Sequence, residues 1–395
     1  MEADISINGF KAASCACGLK KNNRPDIALI CSERDAVSAA VFTTNKVKAA
    51  PVLVSMENIR SGKARAIIVN AGNANACTGE QGLNNARETI RMVSENLEIS
   101  PDNVLVASTG VIGAQIDITK IEKAIPELVE NLNPDGIEGA ARAIMTTDSF
   151  PKIRTFSGKV GGTSYHITGI AKGAGMIMPN MATMLCFILT DINISSALLK
   201  KALSHAVEDS FNRITVDGDT STNDTVFIMA NGMAGNDEPD DSAYKEFLAG
   251  LTGIMYDLAT MIVRDGEGAT KVVHITVRGA ETSSDAKAAA RTIANSSLVK
   301  TAFYGQDPNW GRIMGALGRA GIEIAEDKID IYIDDVKIVE GGLSLGVENE
   351  KKAAGQMKNP EFSLTIELNI GEYDEWITTC DLTHEYVSIN ADYRT

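Results

Sequence analysis

The sequence predicts a mixed α/β fold. Short, strongly apolar strand patterns alternate with helical patterns along the chain, and glycine-rich turns separate them. The 395 residues are enough for two or three structural units with a substantial buried core. The likeliest joints between units are the polar segments 234–242 and 340–354, and neither has the composition of a flexible interdomain linker.

The individual elements follow from local periodicity and turn residues. In the first half, residues 26–31, 66–70 and 103–107 are predicted strands, and residues 82–97 are a predicted helix. The second half is predicted to contain helices at 195–207, 241–263 and 284–294, with strands at 184–189, 225–230, 271–278, 328–333 and 362–369. A cut near the middle would leave strands and helices on both sides.

Charge and composition exclude several functions. The formal net charge is −15 without basic runs, so nucleic acids and anionic membranes are poor partners. No apolar stretch approaches the roughly 18 residues of a membrane span, and the first 25 residues lack a continuous apolar core, so we expect a cytoplasmic protein without a signal peptide. The six cysteines are too scattered for a disulfide scaffold. Cys15 and Cys17 lack a second metal-binding pair, which favours packing over zinc binding.

The segment 172–191, KGAGMIMPNMATMLCFILTD, carries the strongest chemical signal. Thr183 follows Ala182 and stands directly before an apolar strand pattern. If the Ala182–Thr183 peptide bond breaks, Thr183 gains a free α-amine beside its hydroxyl, which is a known way of activating a weak nucleophile. The alternative is that Thr183 is a β-branched residue that simply starts a strand.

Three further segments contain groups that an acyl-transfer site needs. Thr109 and Gly110 follow a predicted strand, where a backbone N–H and a hydroxyl can meet an oxyanion, although a simple turn explains them too. Lys172 precedes two glycines and suits either an anion or the solvent. Glu267 lies between glycines at a helix end, where a carboxylate is disfavoured, so we expect it to pair with a cation, either a substrate amine or a neighbouring Arg or Lys.

Two polar clusters have ordinary structural interpretations. Thr146 belongs to a hydroxyl-rich cluster that a helix terminus explains equally well. Residues 217–224, DGDTSTND, superficially suggest a calcium loop but lack its required glutamate, so a polar turn is favoured.

Together these segments resemble the family of bifunctional glutamate N-acetyltransferases and ornithine acetyltransferases of arginine biosynthesis. The resemblance covers nearly the whole chain. It rests on GFKAA at 9–13, VFTTN at 41–45, NAGNANA at 70–76, STG at 108–110, MTTD at 145–148, KGAGMI at 172–177, MATML at 181–185, DGEGAT at 265–270, QDPNWGR at 306–312 and INADYRT at 389–395.

The resemblance implies a layered α/β/β/α sandwich in which strands of both halves share sheets. It implies that the precursor cuts itself between Ala182 and Thr183 into an α chain, 1–182, and a β chain, 183–395, which assemble as two α plus two β chains. Thr183 would accept the acetyl group, and Thr109 and Gly110 would form the oxyanion hole. The family's substrate-contacting positions match Thr146, Lys172, Thr183, Glu267, Asn390 and Thr395.

The implied reaction moves an acetyl group from N-acetyl-L-ornithine to L-glutamate, with no permanently bound cofactor and no metal. Acetyl-CoA is a candidate co-substrate, and no motif separates monofunctional from bifunctional members. Two alternatives remain open from the residues: a self-processing aminopeptidase or amidase that releases its acyl group to water, and an uncut amino-acid-binding protein.

Overall fold

The computed structural model describes residues 5–178 and 184–392. Its strands are Phe10–Cys15 (β1), Ile27–Phe42 (β2), Lys63–Asn73 (β3), Val104–Val111 (β4), Lys152–Val160 (β5), Thr163–Lys172 (β6), Leu185–Thr190 (β7), Ile214–Thr215 (β8), Thr225–Ala230 (β9), Val272–Ala280 (β10), Asp330–Ile333 (β11), Val336–Glu340 (β12), Leu343–Ser344 (β13), Glu361–Glu367 (β14) and Tyr373–Cys380 (β15). Its α-helices are Ala50–Asn58 (α1), Gly79–Leu97 (α2), Ile118–Glu130 (α3), Ile137–Ala143 (α4), Ser196–Glu208 (α5), Asp241–Arg264 (α6), Ser283–Ala294 (α7), Ser297–Tyr304 (α8), Trp310–Leu317 (α9), Val347–Gln356 (α10) and His384–Ala391 (α11).

The chain forms two compact units, each with one sheet. The first unit contains the described residues up to Asn212 together with Asp219–Ile262, and the second contains Arg213–Gly218 and the described residues from Val263 onward. The first sheet has the strand order β4-β3-β2-β9-β7-β6-β5, with β1 also paired to β2, and the second has the order β13-β12-β11-β14-β10-β15-β8. Two sheets covered by helices confirm the predicted α/β class.

Both faces of the first sheet are buried, as the alternation along β2 shows. Ile27 and Leu29 belong to a core cluster with residues of α1, α2 and α3. Ala28 and Ile30 point to the opposite face and join a second cluster with residues of α4. All four side chains are inaccessible to solvent. The interior position of β2 therefore explains its continuous apolar sequence.

Strands from both sides of residue 183 share the first sheet. β7 pairs antiparallel with β6, and Leu185 stands opposite Lys172. On its other edge β7 pairs parallel with β9, and Leu185 stands opposite Thr225. The predicted sharing is thus confirmed for this sheet, whereas every strand of the second sheet comes from residues after 183.

The second unit has its own core around β10. Val273, Ile275 and Val277 are fully buried and pack with α7 and with β14. β10 pairs parallel with β14 and antiparallel with β15, so it too is an interior strand.

Two elements differ from the sequence expectation. β2 continues to Phe42: its pairing with β3 resumes after a register shift between Cys31 and Ala36, and at its other edge β9 takes the place of β1 from Val37 onward. The charged residues 33–35 at this shift interrupt the apolar pattern. α6 meets the length and composition criteria for a membrane-spanning helix, contrary to the expectation that no stretch would do so. Its side chains Phe247, Leu251 and Met255 are fully buried, as is typical of a core helix.

Candidate active site

The predicted cleavage residues Ala182 and Thr183 lie outside the described part of the chain, but Met184 is described and firmly held. Its N–H donates to Oδ1 of Asp224 at 3.0 Å, and its carbonyl accepts from the N–H of Thr225 at 3.1 Å. Met184 is 3% exposed. Both backbone groups of the residue that follows Thr183 are therefore fixed by the start of β9.

The predicted oxyanion segment lies at the end of β4. Thr109 is 7% exposed, and Gly110 stands opposite Gly72 of the parallel strand β3. Gly110 has a φ of 131°, and a Cβ at this position would lie 2.3 Å from the carbonyl carbon of Gly72. Only glycine fits here, because both the backbone conformation and the close approach exclude a side chain.

Lys172 is the last residue of β6, and its side chain extends to the end of β4 in the interior of the first unit. Its Nζ lies 2.8 Å from Oγ1 of Thr146 and 3.5 Å from Oγ1 of Thr109. The side chain is 4% exposed, so the solvent-facing interpretation is wrong. The structure thus brings together three of the predicted site residues: Thr109, Thr146 and Lys172.

Asp148 supplies the nearby negative charge. Its Oδ1 accepts from Nζ of Lys152 at 2.8 Å and from the N–H of Gly173 at 2.6 Å, and its Oδ2 accepts from the N–H of Thr146 at 2.9 Å and lies 3.7 Å from Nζ of Lys172. Burial by itself would raise the pKa of this carboxyl. The charges of Lys172 and Lys152, with the hydrogen bonds, outweigh burial and hold the pKa of Asp148 well below its ordinary value.

The DGDTSTND segment connects the oxyanion segment to Met184. Nδ2 of Asn223 donates to the carbonyl of Ser108 at 2.8 Å and to that of Ala74 at 2.7 Å. The next residue, Asp224, is 1% exposed, and its Oδ2 has no hydrogen-bond partner among the described residues. Burial raises the pKa of Asp224 well above its ordinary value, against the opposing effects of the Met184 N–H and the charge of Lys172.

The remaining predicted residues belong to the second unit. Glu267 is 9% exposed, and its Oε2 accepts from Nδ2 of Asn390 at 2.8 Å. Within residues 5–178 and 184–392 no Lys, Arg or His forms an ion pair with Glu267, so the neighbouring-cation alternative finds no support there. Thr395 lies outside the described residues. The described site residues thus form two clusters, one in each unit.

The sequence comparison decides the family. The ArgJ family model matches residues 11–395, which includes every predicted site residue. The chain belongs to the ArgJ family. This confirms the resemblance on which the site assignments rest.

Curated ArgJ relatives match over their full length. The arginine biosynthesis bifunctional protein ArgJ of Geobacter sulfurreducens is 50% identical over 394 residues, which cover 99% of this chain and 100% of that protein. The protein of the same name from Caldanaerobacter subterraneus is 46% identical over 393 residues, which cover 98% and 97% of the two chains. A crystal structure of the arginine biosynthesis bifunctional protein argJ from Bacillus halodurans is 41% identical with a TM-score of 0.50, and the match covers 52% of this chain and 97% of that one.

Two buried carboxylates of this ArgJ chain escaped the sequence reasoning. Asp148 lies in the cluster that a helix terminus explained, and Asp224 lies in the segment interpreted as a polar turn. The signal that could have identified Asp148 is Lys152 four residues later, because a buried carboxylate requires a cation. For Asp224, the signal is the strongly apolar strand 225–230 directly after it, which indicates that the residue before the strand is buried as well.

The cysteine pair has the packing role that the sequence predicted. Cys15 and Cys17 are partly buried against the core cluster of α1, α2 and α3. Burial raises the pKa of Cys15 to about 11 and that of Cys17 to about 12. Both thiols are therefore protonated and unreactive near neutral pH. Among the described residues, no group of three or more His, Cys, Asp or Glu side chains is arranged to hold a metal ion.

Proposed function

We propose that this chain transfers the acetyl group of N-acetyl-L-ornithine to L-glutamate through an acetyl ester on Thr183, which yields L-ornithine and N-acetyl-L-glutamate. The observation that carries the proposal is the buried Lys172 between the hydroxyls of Thr109 and Thr146, next to the strand that follows Thr183. The names of the ArgJ relatives support a bifunctional role in arginine biosynthesis. From the family resemblance we further propose acetyl-CoA as a second acetyl donor to glutamate.

Self-cleavage between Ala182 and Thr183 gives the α chain, 1–182, and the β chain, 183–395. The Bacillus halodurans chain supports a cut near the middle, since it is almost wholly covered by a match to about half of this chain. The products stay together because β6 of the first and β7 of the second are neighbours in one sheet. From the family resemblance we further propose an assembly of two α plus two β chains and a cytoplasmic location.

In the transfer reaction, the Thr183 hydroxyl attacks the acetyl carbon while its own α-amine takes the proton. An α-amine ordinarily has a pKa of about 7.7 to 8.0, so a substantial fraction is neutral near pH 7. The amine then returns the proton to the leaving nitrogen of ornithine. Thr109 and Gly110 donate hydrogen bonds to the oxyanion, which is commonly worth about 3 to 4 kcal/mol per donor.

The charges around Lys172 suit a substrate carboxylate. The Lys172 side chain is 4% exposed and lies 3.7 Å from Asp148, whose Oδ1 is also bonded to Lys152 at 2.8 Å. Lys172 contacts Asp148 at a longer distance than Lys152 does, and a buried ammonium group attracts an anion strongly. Glu267 and Asn390, with Thr395, bind the amino end of the substrate in the family pattern.

The decisive experiment combines intact mass with product analysis. We expect the purified protein to give two fragments, the second starting at Thr183, and to form ornithine and N-acetylglutamate in equal amounts. Thr183→Ala is the matched control and stays uncut without transfer. Acetate release that is independent of glutamate would identify an amidase instead, and a single active chain of 42.0 kDa would refute the mechanism. Glutamate acetylation with acetyl-CoA alone tests the second activity.

A further inference from the structure

Self-cleavage needs a proton donor that the mature enzyme does not need. In the uncut chain the nitrogen of Thr183 is part of a peptide bond, so the α-amine that serves later turnovers does not yet exist. A peptide nitrogen leaves a tetrahedral intermediate readily only when it receives a proton. Some other group must supply that proton.

Asp224 is placed to do so. Its Oδ1 lies 3.0 Å from the nitrogen of Met184. The nitrogen of Thr183 is only three covalent bonds from that atom, and therefore no more than about 4 Å from it in any backbone conformation. Chain connectivity alone thus keeps Oδ1 of Asp224 within about 7 Å of the nitrogen of the scissile bond.

The hydrogen bonds of Asp224 leave one oxygen available. Oδ1 is occupied by the Met184 N–H, while the buried Oδ2 has no hydrogen-bond partner among the described residues. The hydroxyls of Thr43 and Ser221 lie nearby; that of Thr43 donates to the carbonyl of Ser221 at 2.7 Å, and both oppose the effect of burial on the pKa of Asp224. Burial raises the pKa of this carboxyl well above its ordinary value, which favours the protonated form that a proton donor needs.

The other buried carboxylate of this region is unsuited to the task. Asp148 contacts Lys152 and faces Lys172, and these charges lower its pKa, so it is ionised and has no proton to give. The opposite directions of the two pKa shifts therefore favour Asp224, whose Oδ1 is also bonded to the N–H of Met184.

We propose that Asp224 is the proton donor of self-cleavage and gives its Oδ2 proton to the Thr183 nitrogen as the Ala182–Thr183 bond breaks. The hydroxyl oxygen of Thr183 forms an ester bond with the carbonyl carbon of Ala182, and the bond from that carbon to nitrogen breaks. The hydroxyl proton then passes to Oδ2, so the carboxyl ends the step neutral. Water hydrolyses the ester, which returns a hydroxyl to Thr183 and leaves a carboxyl on Ala182.

The residue before Asp224 supports this role. Asn223 holds the carbonyl of Ser108 through Nδ2, directly before Thr109 and Gly110. Asn223 thus binds the strand end that precedes Thr109, and the next residue, Asp224, binds Met184. The donor and the proposed oxyanion donors are thereby fixed to the same short segment.

The inference rests on the proposed self-cleavage and is tested with Asp224→Asn in the full chain. Asparagine can still accept from the Met184 N–H but has no acidic proton, so a purely positioning role would survive the change. We expect a folded, uncut chain, or cleavage about 100-fold slower or more, followed by intact mass over time. The matched control is Asp191→Asn, because Asp191 is also a buried carboxylate, bonded to the N–H of His166 just after β7. It should be cut like the wild type.

A second variant covers the case in which Asp224→Asn does not fold. Asp224→Ala removes the carboxyl and leaves room for formate, which should restore cleavage. Cleavage of either folded variant at the wild-type rate without formate overturns the inference, and so does a folded Asp224→Ala chain that formate cannot rescue. An uncut wild-type chain would instead refute the proposed self-cleavage, so the two failures are distinguishable.

Discussion

Asp148→Asn is the substitution with the largest expected effect on stability. The carboxylate receives three N–H donors at 2.6 to 2.9 Å from Lys152, Gly173 and Thr146, and Lys172 lies 3.7 Å away. Whichever oxygen becomes the NH₂ group, it faces at least one of these donors. The variant therefore loses hydrogen bonds and also removes the negative charge that contacts Lys152 and Lys172.

The expected loss follows from the burial of the partners. The side chains of Asp148 and Lys152 are 0% exposed and that of Lys172 is 4% exposed, so solvent cannot replace the missing charge. Removing one partner of a buried pair typically costs about 3 to 5 kcal/mol. We expect the free energy of unfolding of the first unit to fall by that amount in urea titrations followed by circular dichroism.

Asp35→Asn is the matched control. Its carboxylate is 50% exposed and lies 3.9 Å from Arg65, so its loss should cost less than about 1 kcal/mol. If Asp148→Asn is no more destabilising than this surface change, the buried charge cluster does not contribute as the geometry indicates.

The pH dependence of the Asp148 effect has a definite sign. The pKa of Asp148 is lower in the folded than in the unfolded chain, where it is about 3.9. Its contribution is therefore fully present above that unfolded value and is lost as pH falls through the folded one. The difference between wild type and Asp148→Asn should be constant from about pH 5 upward and shrink in more acidic solution.

Three further predictions concern the proposed chemistry. Gly110→Ala places a methyl group against Gly72 and should lower kcat about 100-fold or more; wild-type kcat in a cut, folded variant would contradict this. Lys172→Met should raise KM for both N-acetylornithine and glutamate by roughly 10- to 100-fold, with Lys172→Arg as the charge-keeping control, and an unchanged KM would exclude the carboxylate contact. The pKa of Asp224 is higher in the folded than in the unfolded chain, so a chain that carries Asp224 loses stability as pH rises above about 4. Uncut Asp224→Asn should therefore become more stable relative to the uncut Thr183→Ala chain as pH rises. The same difference between the unfolding midpoints of these two variants at pH 5 and at pH 8 would refute this.

Elements with strong local periodicity were predictable from the sequence. The predicted strand 225–230 is β9, and the predicted helices 284–294 and 241–263 differ from α7 and α6 by a single residue at an end. Interior strands and amphipathic helices repeat one hydrophobic pattern over many residues, so the pattern identifies them even where single residues depart from it.

The β5–β6 hairpin is an element that the sequence predictions missed. Its strands alternate polar and apolar residues, and no strand was predicted there. The omission matters because β6 ends at the site residue Lys172. Gly161 and Gly162, with φ values of 56° and 89°, form the two-residue turn between the strands. A Gly-Gly pair between alternating residues is a recognised hairpin signal, so this information was present in the sequence.

Asp224 could not have been assigned from its own segment, because its burial is a property of the assembled sheet. DGDTSTND has the composition of an exposed turn. It is buried since Asn223 contacts β4 and the loop after β3, which lie more than 100 positions earlier in the chain. The apolar strand that follows indicates burial of Asp224, but its hydrogen-bond partners come from the folded structure.

The position of the proposed cut reconciles cleavage with a rigid site. The cut falls in the connection between β6 and β7, two neighbouring antiparallel strands whose ladder runs from Lys172 opposite Leu185 to Ile167 opposite Thr190. Breaking a connection removes no hydrogen bond of the ladder, and β9 holds the other edge of β7. Cleavage there can release the α-amine of Thr183 while Met184 stays bound to Asp224 and Thr225. In the proposed mechanism the residue before Met184 therefore gains its base while Met184 keeps both of its backbone hydrogen bonds.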